Sequence, residues 1–508
     1  MTEIWRLDGV DLDRLDRLAS RIALNLKSGD VVTLSGPLGA GKTTLARTLV
    51  GHFDPGSEVP SPTFALIQRY ETPRLALSHC DFFRLDAGEL DELGLDDALA
   101  DGALLIEWPE RAASWLPQDR LDIVFDESGQ PETRTLVLTG HGNWASRLHR
   151  LQAMAGFLEG TAFAEADALY LQGDASARGY ARLVLPDRQA VLMNSPRQPD
   201  GPPIRDGKPY SALVHLAEDV KPFVAVAEAL RARGFSAPEI LAFDLDKGFI
   251  VLEDFGDTVF KAVLERGVSQ PELWRKAVDV LLALSEAPPD PTLPVEGHNA
   301  YAVPRFDAEA MLVEASLIVE WLWPAAQGQD LPREVRAEFE SLWRPHLEAA
   351  AQADPGWVLR DFHSPNLMSL PEREGIGNVG LLDFQDALYG PLAYDLVSML
   401  QDARLDVPEA LERAELDRYC AVRTARGGTF SIDDFRMLYA TLGAQRNSKI
   451  LGIFARLAIR DGKRAYLGHM PRVARYLERN LAHPALADLR AFYARAFPSA
   501  EDLPPKSL

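Results

Sequence analysis

Cysteine is scarce in this chain: its 508 residues include only two, Cys80 and Cys420. They lie far apart in sequence and do not form a C-x-x-C pair, and no pair of histidines at metal-ligand spacing accompanies them. This usage argues against a disulfide framework and against a structural zinc site. A reducing compartment, the cytoplasm, is therefore the expected location.

Long apolar runs are also missing. No stretch of about 18 consecutive apolar residues, the length that spans a bilayer, occurs in the sequence. The first residues, MTEIWRLDGVDLDRLDRL, are acidic and contain no apolar signal core. We therefore expect a cytoplasmic protein without a membrane-spanning segment and without a membrane partner.

Basic residues are outnumbered, because 53 Lys and Arg stand against 75 Asp and Glu, which gives a net charge of −22. A protein that grips nucleic acid or an anionic membrane with its own surface needs a basic footprint. The remaining composition is that of a soluble globular protein, with 47% hydrophobic and 25% charged residues. At the usual ~100–200 residues per domain, a chain of this length contains two to four domains.

The periodicity divides the chain into two parts. In the first, helix-like and apolar strand-like segments alternate, which predicts an α/β domain with a central sheet; the helices are expected at 11–28, 44–50 and 144–158, and the strands at 31–34, 75–77, 103–106, 121–125 and 134–138. The second part begins with strands at 183–185, 190–193 and near 240–252 around a helix at 219–233, and is mostly helical from about 270. We expect domains at 1–145 and 146–508, the second divided into a β-rich lobe (146–256) and a helical lobe (257–508).

A glycine-rich loop between a strand and a helix carries the strongest motif. Residues 36–43, GPLGAGKT, match G-x-x-x-x-G-K-[ST] in full. The glycines and the helix N-terminus allow backbone N–H groups to surround a phosphate, while Lys42 neutralises the β- and γ-phosphates and Thr43 ligates Mg²⁺. The predicted nucleotide-binding residues here are Gly36, Gly39, Ala40, Gly41, Lys42, Thr43 and Thr44.

Two acidic residues end predicted strands near this loop. Glu107 follows the apolar run 103–106, and Asp81 follows 77–80. A carboxylate in this position orients a water molecule or a metal ion near the γ-phosphate. The alternative is a strand-end carboxylate that caps a following turn or helix, and the sequence leaves both interpretations open.

Together these residues resemble the TsaE family, the ATPase subunit for threonylcarbamoyladenosine modification of bacterial tRNA. The matching segments, spread over roughly residues 5–145, are 36–43, VPSPTF (59–64), HCDFFR (79–84) and EWPE (107–110). The resemblance implies that Ser61–Thr63 form a switch-like loop, that Asp81 helps to hold Mg²⁺, and that Glu107 and Trp108 serve hydrolysis and the nucleotide site. Phe83 departs from the Tyr usual in the family. In that family partner proteins handle the tRNA, which suits an acidic domain.

The second part contains a possible phosphotransferase loop. Asp361 and Asn366 have the D-x-x-x-x-N spacing in which a carboxylate accepts a hydroxyl proton and an amide oxygen binds Mg²⁺. That spacing is common by composition alone. Asp383, which ends the apolar run 381–382, stands where a second metal-binding Asp is expected. The alternative is a capping Asp361 and a turn Asn366.

The wider pattern resembles the aminoglycoside-phosphotransferase-like kinases, in particular the N-acetylmuramate and N-acetylglucosamine kinases of cell-wall recycling. The matching segments, within about 150–490, are GDASARGYAR (173–182), LEDFGD (252–257), 383–395 and QRNSKILGIFARL (445–457). The resemblance implies a bilobal protein-kinase-like fold with Asp361 as the catalytic base and Asn366 and Asp383 as magnesium ligands. It also implies that Glu253 and Phe255 lie at the adenine hinge, and that Asp395 braces the catalytic loop.

Two departures from that family matter. The strand 190–193 has no lysine for the α- and β-phosphates, and Met193 stands at the expected position. Such a cation contributes several kcal/mol to phosphoryl transfer. Either another cation such as Arg178 or Arg182 replaces it, or this branch of the family tolerates its absence. An arginine on a strand is commonly a solvated surface residue. In addition, Leu359 replaces the His that many relatives carry.

The sequence thus predicts a bifunctional protein that uses ATP and Mg²⁺ twice. Its first domain would serve tRNA threonylcarbamoylation with other protein subunits and touch tRNA only indirectly. Its second would phosphorylate the anomeric hydroxyl of an N-acetyl amino sugar. The alternatives for the second domain are an aminoglycoside, a choline-like amine or another small metabolite as acceptor, or a degenerate nucleotide-binding module. The first domain could instead act as a nucleotide-dependent binding switch.

Overall fold

The computed structural model describes residues 2–54, 56, 59, 62, 66–85, 90–171, 178–506 and 508. The chain forms two compact units: one comprises Met1–Pro196 and Leu241–Asp254, the other Arg197–Ile240 and Phe255–Leu508. The strands expected in the kinase-like β-rich lobe thus cluster with the first domain. The domain boundary near residue 145 stays a prediction.

The first unit is built on a seven-stranded sheet. Its strands are β1 (Thr2–Val10), β2 (Val31–Ser35), β3 (Ile67–Tyr70), β4 (Ala76–Asp81), β5 (Gly102–Glu107), β6 (Arg120–Glu127) and β7 (Arg134–His141). They lie in the order β1-β7-β6-β2-β5-β4-β3, and β2 pairs in parallel with both β5 and β6. The helices are α1 (Leu12–Asn25), α2 (Lys42–Phe53), α3 (Leu95–Asp101) and α4 (Asn143–Glu159). The predicted α/β class is confirmed, whereas β1 and β3 were not predicted.

The same unit contains a second sheet of five strands: β8 (Asp167–Leu171), β9 (Gly179–Val184), β10 (Gln189–Asn194), β13 (Ile240–Asp244) and β14 (Phe249–Leu252). They lie in the order β13-β14-β10-β9-β8. Two short strands, β11 (Pro203–Arg205) and β12 (Lys208–Pro209), lie between β10 and β13 in sequence and pair with each other. One hydrophobic cluster runs through both sheets, from Ile22 on α1 to Ala168 on β8 and Phe249 on β14. The amide of Ala168 also donates to Ser20 Oγ of α1 at 3.1 Å. The phosphate-loop domain and these strands therefore share one core.

The second unit is substantially helical, as predicted. Its helices are α5 (Tyr210–Leu213), α6 (Lys221–Ala232), α7 (Phe260–Glu265), α8 (Gln270–Leu284), α9 (Ala308–Leu317), α10 (Trp323–Gln327), α11 (Arg333–Ala350), α12 (Ala393–Leu400), α13 (Glu409–Ala425), α14 (Ile432–Asp461), α15 (Met470–Leu481) and α16 (Ala487–Ala496). Short strand pairs interrupt them: β15 (Thr292–Val295) with β16 (His298–Ala302), β17 (Pro355–Val358) with β20 (Leu388–Pro391), and β18 (Leu367–Ser369) with β19 (Val379–Leu381).

Helices α9 and α14 of this unit approach each other closely. A Cβ atom added at Gly452 of α14 would lie 2.3 Å from the carbonyl carbon of Leu317, so only glycine fits between the two backbones. Because the two backbones are this close, the polar side chain of Gln445 on α14 forms hydrogen bonds to residues of α9. Within the described part of the chain, no helix is long and apolar enough to cross a membrane.

We predict that Arg147→Met destabilises the first unit. Arg147 of α4 donates to both carboxylate oxygens of Asp30 at 2.6 Å, and Asp30 is only 5% exposed. Removing one partner of a buried pair leaves an uncompensated charge, which costs about 3 kcal/mol or more. Calorimetry should show a lower first unfolding transition, which Asp30→Asn in the same chain should largely restore. Arg6→Met, at an ion pair whose side chains are 60% and 67% exposed, is the matched control. A wild-type transition for Arg147→Met would contradict the prediction.

Candidate active sites

The glycine-rich loop of the first unit connects the central strand β2 to α2. Gly36, Gly39 and Gly41 have φ angles of +139°, +77° and +111°, which side-chain-bearing residues rarely adopt. A Cβ at Gly36 would also lie 2.6 Å from the carbonyl oxygen of Phe125 on β6. The loop thus sits at the carboxyl end of a parallel strand and before a helix N-terminus, the arrangement that binds phosphate groups.

Lys42 lies inside this loop. Its Nζ donates to the carbonyl oxygens of Gly36 and Pro37 at 2.8 and 2.9 Å and stands 4.0 Å from the centre of the Trp108 ring. Burial lowers the pKa of Lys42, while Glu107 and Asp81 oppose that shift. A phosphate oxygen would replace the two carbonyls as a charged partner of the ammonium, so the site suits a nucleotide phosphate.

Glu107, at the end of β5, is fixed by two neighbours. Thr43 Oγ1 donates to Glu107 Oε2 at 3.0 Å, and His79 Nε2 of β4 lies 2.9 Å from Glu107 Oε1. His79 is completely buried and Glu107 is 2% exposed. The structure therefore brings predicted residues 43 and 107 together. Sequence reasoning assigned no role to His79, although a histidine within an otherwise apolar strand was a usable signal.

Asp81 and Trp108 flank this contact. Asp81 pairs with Glu107 across β4 and β5, so both strand-end carboxylates are adjacent, and Asp81 Oδ1 accepts the amide of Phe83 at 3.0 Å. Trp108 has a φ of +58°, and its ring lies 5.0 Å from that of Phe83. A backbone conformation of this kind is costly and is often found at functional sites. Ser61 and Thr63 of the predicted switch-like loop lie outside the described residues.

A cavity of about 480 Å³ adjoins the loop. It is lined by the N-terminus of α1, by the loop and by strands β6 and β7, and includes Asp11, Leu12, Gly39, Thr44, Phe125 and Arg134. Among the described residues, no group of three or more His, Cys, Asp or Glu side chains is placed to hold a metal ion. A magnesium ion at Thr43 and Asp81 would therefore share its coordination with the phosphates of the nucleotide, as hard cations commonly do.

In the second unit, Asp395 of α12 holds the backbone of the predicted catalytic loop. Its Oδ2 accepts the amide of Leu359 at 2.5 Å and its Oδ1 that of Arg360 at 2.9 Å. Burial raises the pKa of Asp395 to about 7, although the two amides and Arg446 favour its charged form. The bracing contact that the family resemblance implied is present.

Arg360 is the other anchor of this loop. It has a φ of +73° and is 2% exposed, and its guanidinium donates to the carbonyl of Val214 at 2.8 Å and to Glu314 of α9. Lys449 of α14 lies 2.8 Å from the same carboxylate. Burial opposes the charged form of Glu314, but the two cations outweigh it and lower its pKa to about 2. Sequence reasoning did not find Glu314, because no local motif marks it.

Asp361, Asn366 and Asp383 meet at this loop. Asn366 Nδ2 donates to the carbonyl of Asp361 at 3.0 Å and lies 3.5 Å from Asp383 Oδ2. The hairpin of β18 and β19 brings the two metal-ligand candidates together by pairing Leu367 with Leu381, and Gln385 Nε2 donates to Asp383 Oδ1 at 2.9 Å. An amide and a carboxylate at this distance form a donor set that suits Mg²⁺.

The structure shows the surroundings of two residues predicted for the kinase nucleotide site, Arg182 and Phe255. Arg182 Nε donates to Asp254 Oδ2 at 2.5 Å, and the two side chains are 18% and 3% exposed. Arg182 is therefore neither a solvated surface residue nor a bare cation, and Asp254 balances its charge. Phe255 packs against β19, where a Cβ at Gly380 would meet its ring at 2.9 Å. Gly173 to Ala177 lie outside the described residues, and the nucleotide roles of Arg182, Glu253 and Phe255 stay predictions.

Two protein-family profiles match the segments of the chain that contain these two sites. The family profile described as "Threonylcarbamoyl adenosine biosynthesis protein TsaE" matches residues 10–136, and the profile "Phosphotransferase enzyme family" matches residues 167–429. A Caulobacter vibrioides protein named N-acetylmuramate/N-acetylglucosamine kinase is 39% identical over 69% of this chain and 97% of its own length. A Bacillus subtilis protein named tRNA threonylcarbamoyladenosine biosynthesis protein TsaE is 38% identical over 27% of this chain and 86% of its own length.

The chain belongs to both families. It is a TsaE domain fused to a phosphotransferase domain of the sugar-kinase type, which confirms the predicted family resemblances and the kinase-like fold. A Pseudomonas aeruginosa kinase of the same name is 35% identical over 66% of this chain and 90% of its own length. Both families use ATP, so the chain combines two domains of ATP-using families.

We predict that Glu107→Gln lowers ATP hydrolysis by the TsaE domain about 100-fold, the lower range for loss of a catalytic acid or base. The measurement is ADP release without acceptor, in a chain that also carries Asp361→Asn so that the kinase domain contributes nothing. Nucleotide binding should persist, because the loop and Lys42 are unchanged. Glu71, an exposed residue of the same domain outside the matched motifs, changed to Gln, is the matched control. Unchanged hydrolysis would mean that Glu107 is only a strand-end carboxylate.

Proposed function

We propose that the phosphotransferase domain moves the γ-phosphoryl group of ATP to the anomeric hydroxyl of an N-acetyl amino sugar. The main support is that Asp383, which follows β19, lies against the loop that carries Asp361 and Asn366. The chain also matches nearly the whole length of a curated N-acetylmuramate/N-acetylglucosamine kinase. The relative's name supplies the acceptor class, and the loop supplies the chemistry.

The roles of the residues follow from their placement. Asp361 accepts the proton of the attacking sugar hydroxyl. Its backbone is fixed for this role, because Asp395 accepts the amide of the preceding Arg360 and Asn366 donates to the carbonyl of Asp361. Asn366 and Asp383 would hold magnesium, which in this class of reaction neutralises charge on the β- and γ-phosphates. Arg360 is fixed by Glu314 and Val214, so it positions the loop and does not touch the acceptor.

The acceptor can be tested with a panel of N-acetylmuramate, N-acetylglucosamine, an aminoglycoside, choline and no addition. We expect ADP release to rise only with the amino sugars. Asp361→Asn should lower this stimulated rate about 1,000-fold, within the range for loss of a general base. Asp406→Asn, whose side chain is 68% exposed, is the control. Stimulation by the aminoglycoside or choline instead would favour the alternative acceptors, and no stimulation at all would favour a degenerate module.

We further propose that the TsaE domain supplies the nucleotide-dependent step of tRNA threonylcarbamoylation, in the cytoplasm, together with other protein subunits. The name of the Bacillus subtilis relative and the intact phosphate loop support this proposal. The whole chain has a net charge of −22. Such an acidic protein is expected to reach tRNA through partner proteins and not through its own surface.

We predict that Lys42→Ala abolishes nucleotide-dependent tRNA modification in a system reconstituted with the partner subunits. The lysine is the one loop side chain able to neutralise phosphate charge, so nucleotide binding should fall sharply. Lys27→Ala, at an exposed position in the same domain, should leave modification unchanged. Retained modification with Lys42→Ala would contradict the proposed role, while amino-sugar phosphorylation in the same preparation would show that the chain is folded.

A further inference from the structure

Helix α14 carries a buried guanidinium, that of Arg446, with one nitrogen atom left without a hydrogen bond in the described part of the chain. Arg446 is 4% exposed, and its Nη1 has no hydrogen-bond partner among the residues that the structure describes. Its neighbours on the helix are engaged: Gln445 donates to the carbonyl of Met311, Ser448 to that of Ala444, and Lys449 pairs with Glu314. Burying an unpaired charge is unfavourable, so a group that completes the site is expected.

Arg446 lies beside the catalytic loop. It favours the charged form of Asp395, whose pKa burial raises, and the proximity of Asp361 acts on the same carboxyl in the opposite sense. His363, two positions after Asp361, is also influenced by both charges; burial is the main cause of its lowered pKa. The Nδ1 atom of His363 is buried and likewise has no partner in the described part of the chain. A cation and an unpartnered ring nitrogen thus lie around the loop that carries the predicted base.

The two buried carboxylates nearby are already engaged elsewhere. Both oxygens of Asp395 accept loop amides. Asp402 accepts the amide and hydroxyl of Ser364 with one oxygen and the amides of Arg404 and Leu405 with the other. Neither carboxylate therefore forms with Arg446 the paired contact that a guanidinium makes with an acid.

We propose that Arg446 binds the carboxylate of an acidic amino sugar and so determines the preference of the kinase domain for an anionic acceptor. This inference rests on the proposed function and deepens it. A guanidinium matches a carboxylate through two parallel N–H···O contacts. Of the two sugars in the relatives' names, N-acetylmuramate carries a carboxylate and N-acetylglucosamine does not. In a chain of net charge −22, an anionic sugar needs such a local cation at its site.

The observations favour a carboxylate over the transferred phosphoryl group. Under the proposed function, the phosphates are neutralised by magnesium at Asn366 and Asp383, which is a separate donor set from Arg446. An acceptor carboxylate has no such counter-ion, and Arg446 would provide one close to the loop that carries Asp361. The alternative role, stabilising the phosphoryl group, is therefore an outcome that the experiment must distinguish.

The test compares steady-state kinetics of Arg446→Gln and the wild-type chain with both sugars. We expect KM for N-acetylmuramate to rise 10- to 100-fold, the range for losing a charged hydrogen bond, with kcat changed less. KM and kcat for N-acetylglucosamine should stay within about twofold, which also shows that the variant is folded. Arg446→Lys should be intermediate, because it keeps the charge without the paired contact. Arg436→Gln, on the same helix with a side chain 49% exposed, is the matched control.

A second measurement needs no variant. The wild-type chain should use N-acetylmuramate at least about tenfold better, by kcat/KM, than its methyl ester, in which the carboxylate is neutral. Equal losses with both sugars in Arg446→Gln, or equal use of acid and ester by the wild type, would overturn the assignment of Arg446 to the acceptor carboxylate. Phosphorylation of neither sugar by the wild-type chain would instead overturn the proposed function itself.

Discussion

The helical unit depends on one buried carboxylate. Glu314 of α9 joins Arg360 of the catalytic loop to Lys449 of α14, and Gln445 of the same helix approaches it as well. Without these cations a charged carboxylate could not remain in a completely buried position, and without the carboxylate the buried guanidinium of Arg360 would lose its charged partner. Three elements far apart in sequence are thus held by a single charge network, and the loop that carries Asp361 is set by it.

The TsaE domain uses a smaller version of the same principle. Glu107 is held by Thr43 on one side and by His79 on the other, so that a strand-end carboxylate faces the phosphate loop in a fixed orientation. In both sites neighbouring groups fix a predicted catalytic carboxylate or its backbone: Thr43 and His79 hold Glu107, and Asp395 holds the loop that carries Asp361. Such preorganisation is the usual way in which a protein lowers the cost of stabilising charge in phosphoryl transfer.

The net charge of the chain is negative, whereas its two candidate sites contain buried positive charges. The overall surplus of acid argues against direct contact with nucleic acid, but each site contains a buried cation: Lys42 in the phosphate loop, and Arg360, which precedes Asp361 in the chain. Electrostatics inside a protein are dominated by near neighbours, because distant surface charges are screened by solvent and salt. A strongly acidic protein can therefore still bind phosphate or carboxylate groups tightly.

Local sequence determined much of this protein. The phosphate loop, the strand-end acids Glu107 and Asp81, and the pair Asp361 and Asn366 are visible because loop geometry and short spacings are encoded within a few residues. The apolar runs likewise predicted the central strands, since buried parallel strands are continuous hydrophobic segments. The edge strands β1 and β3 were missed, because one exposed face weakens that signal.

Only the tertiary structure decided which distant groups meet. The pairing of Arg182 with Asp254, of Arg360 with Glu314, and the unpartnered state of Arg446 have no local signature, because each depends on burial and on elements that are distant in sequence. The shared core of α1 with β8 and β14 was equally invisible, because it joins segments that are distant in sequence. Sequence patterns specify elements and motifs, whereas packing determines which charges are neutralised and which remain for a ligand.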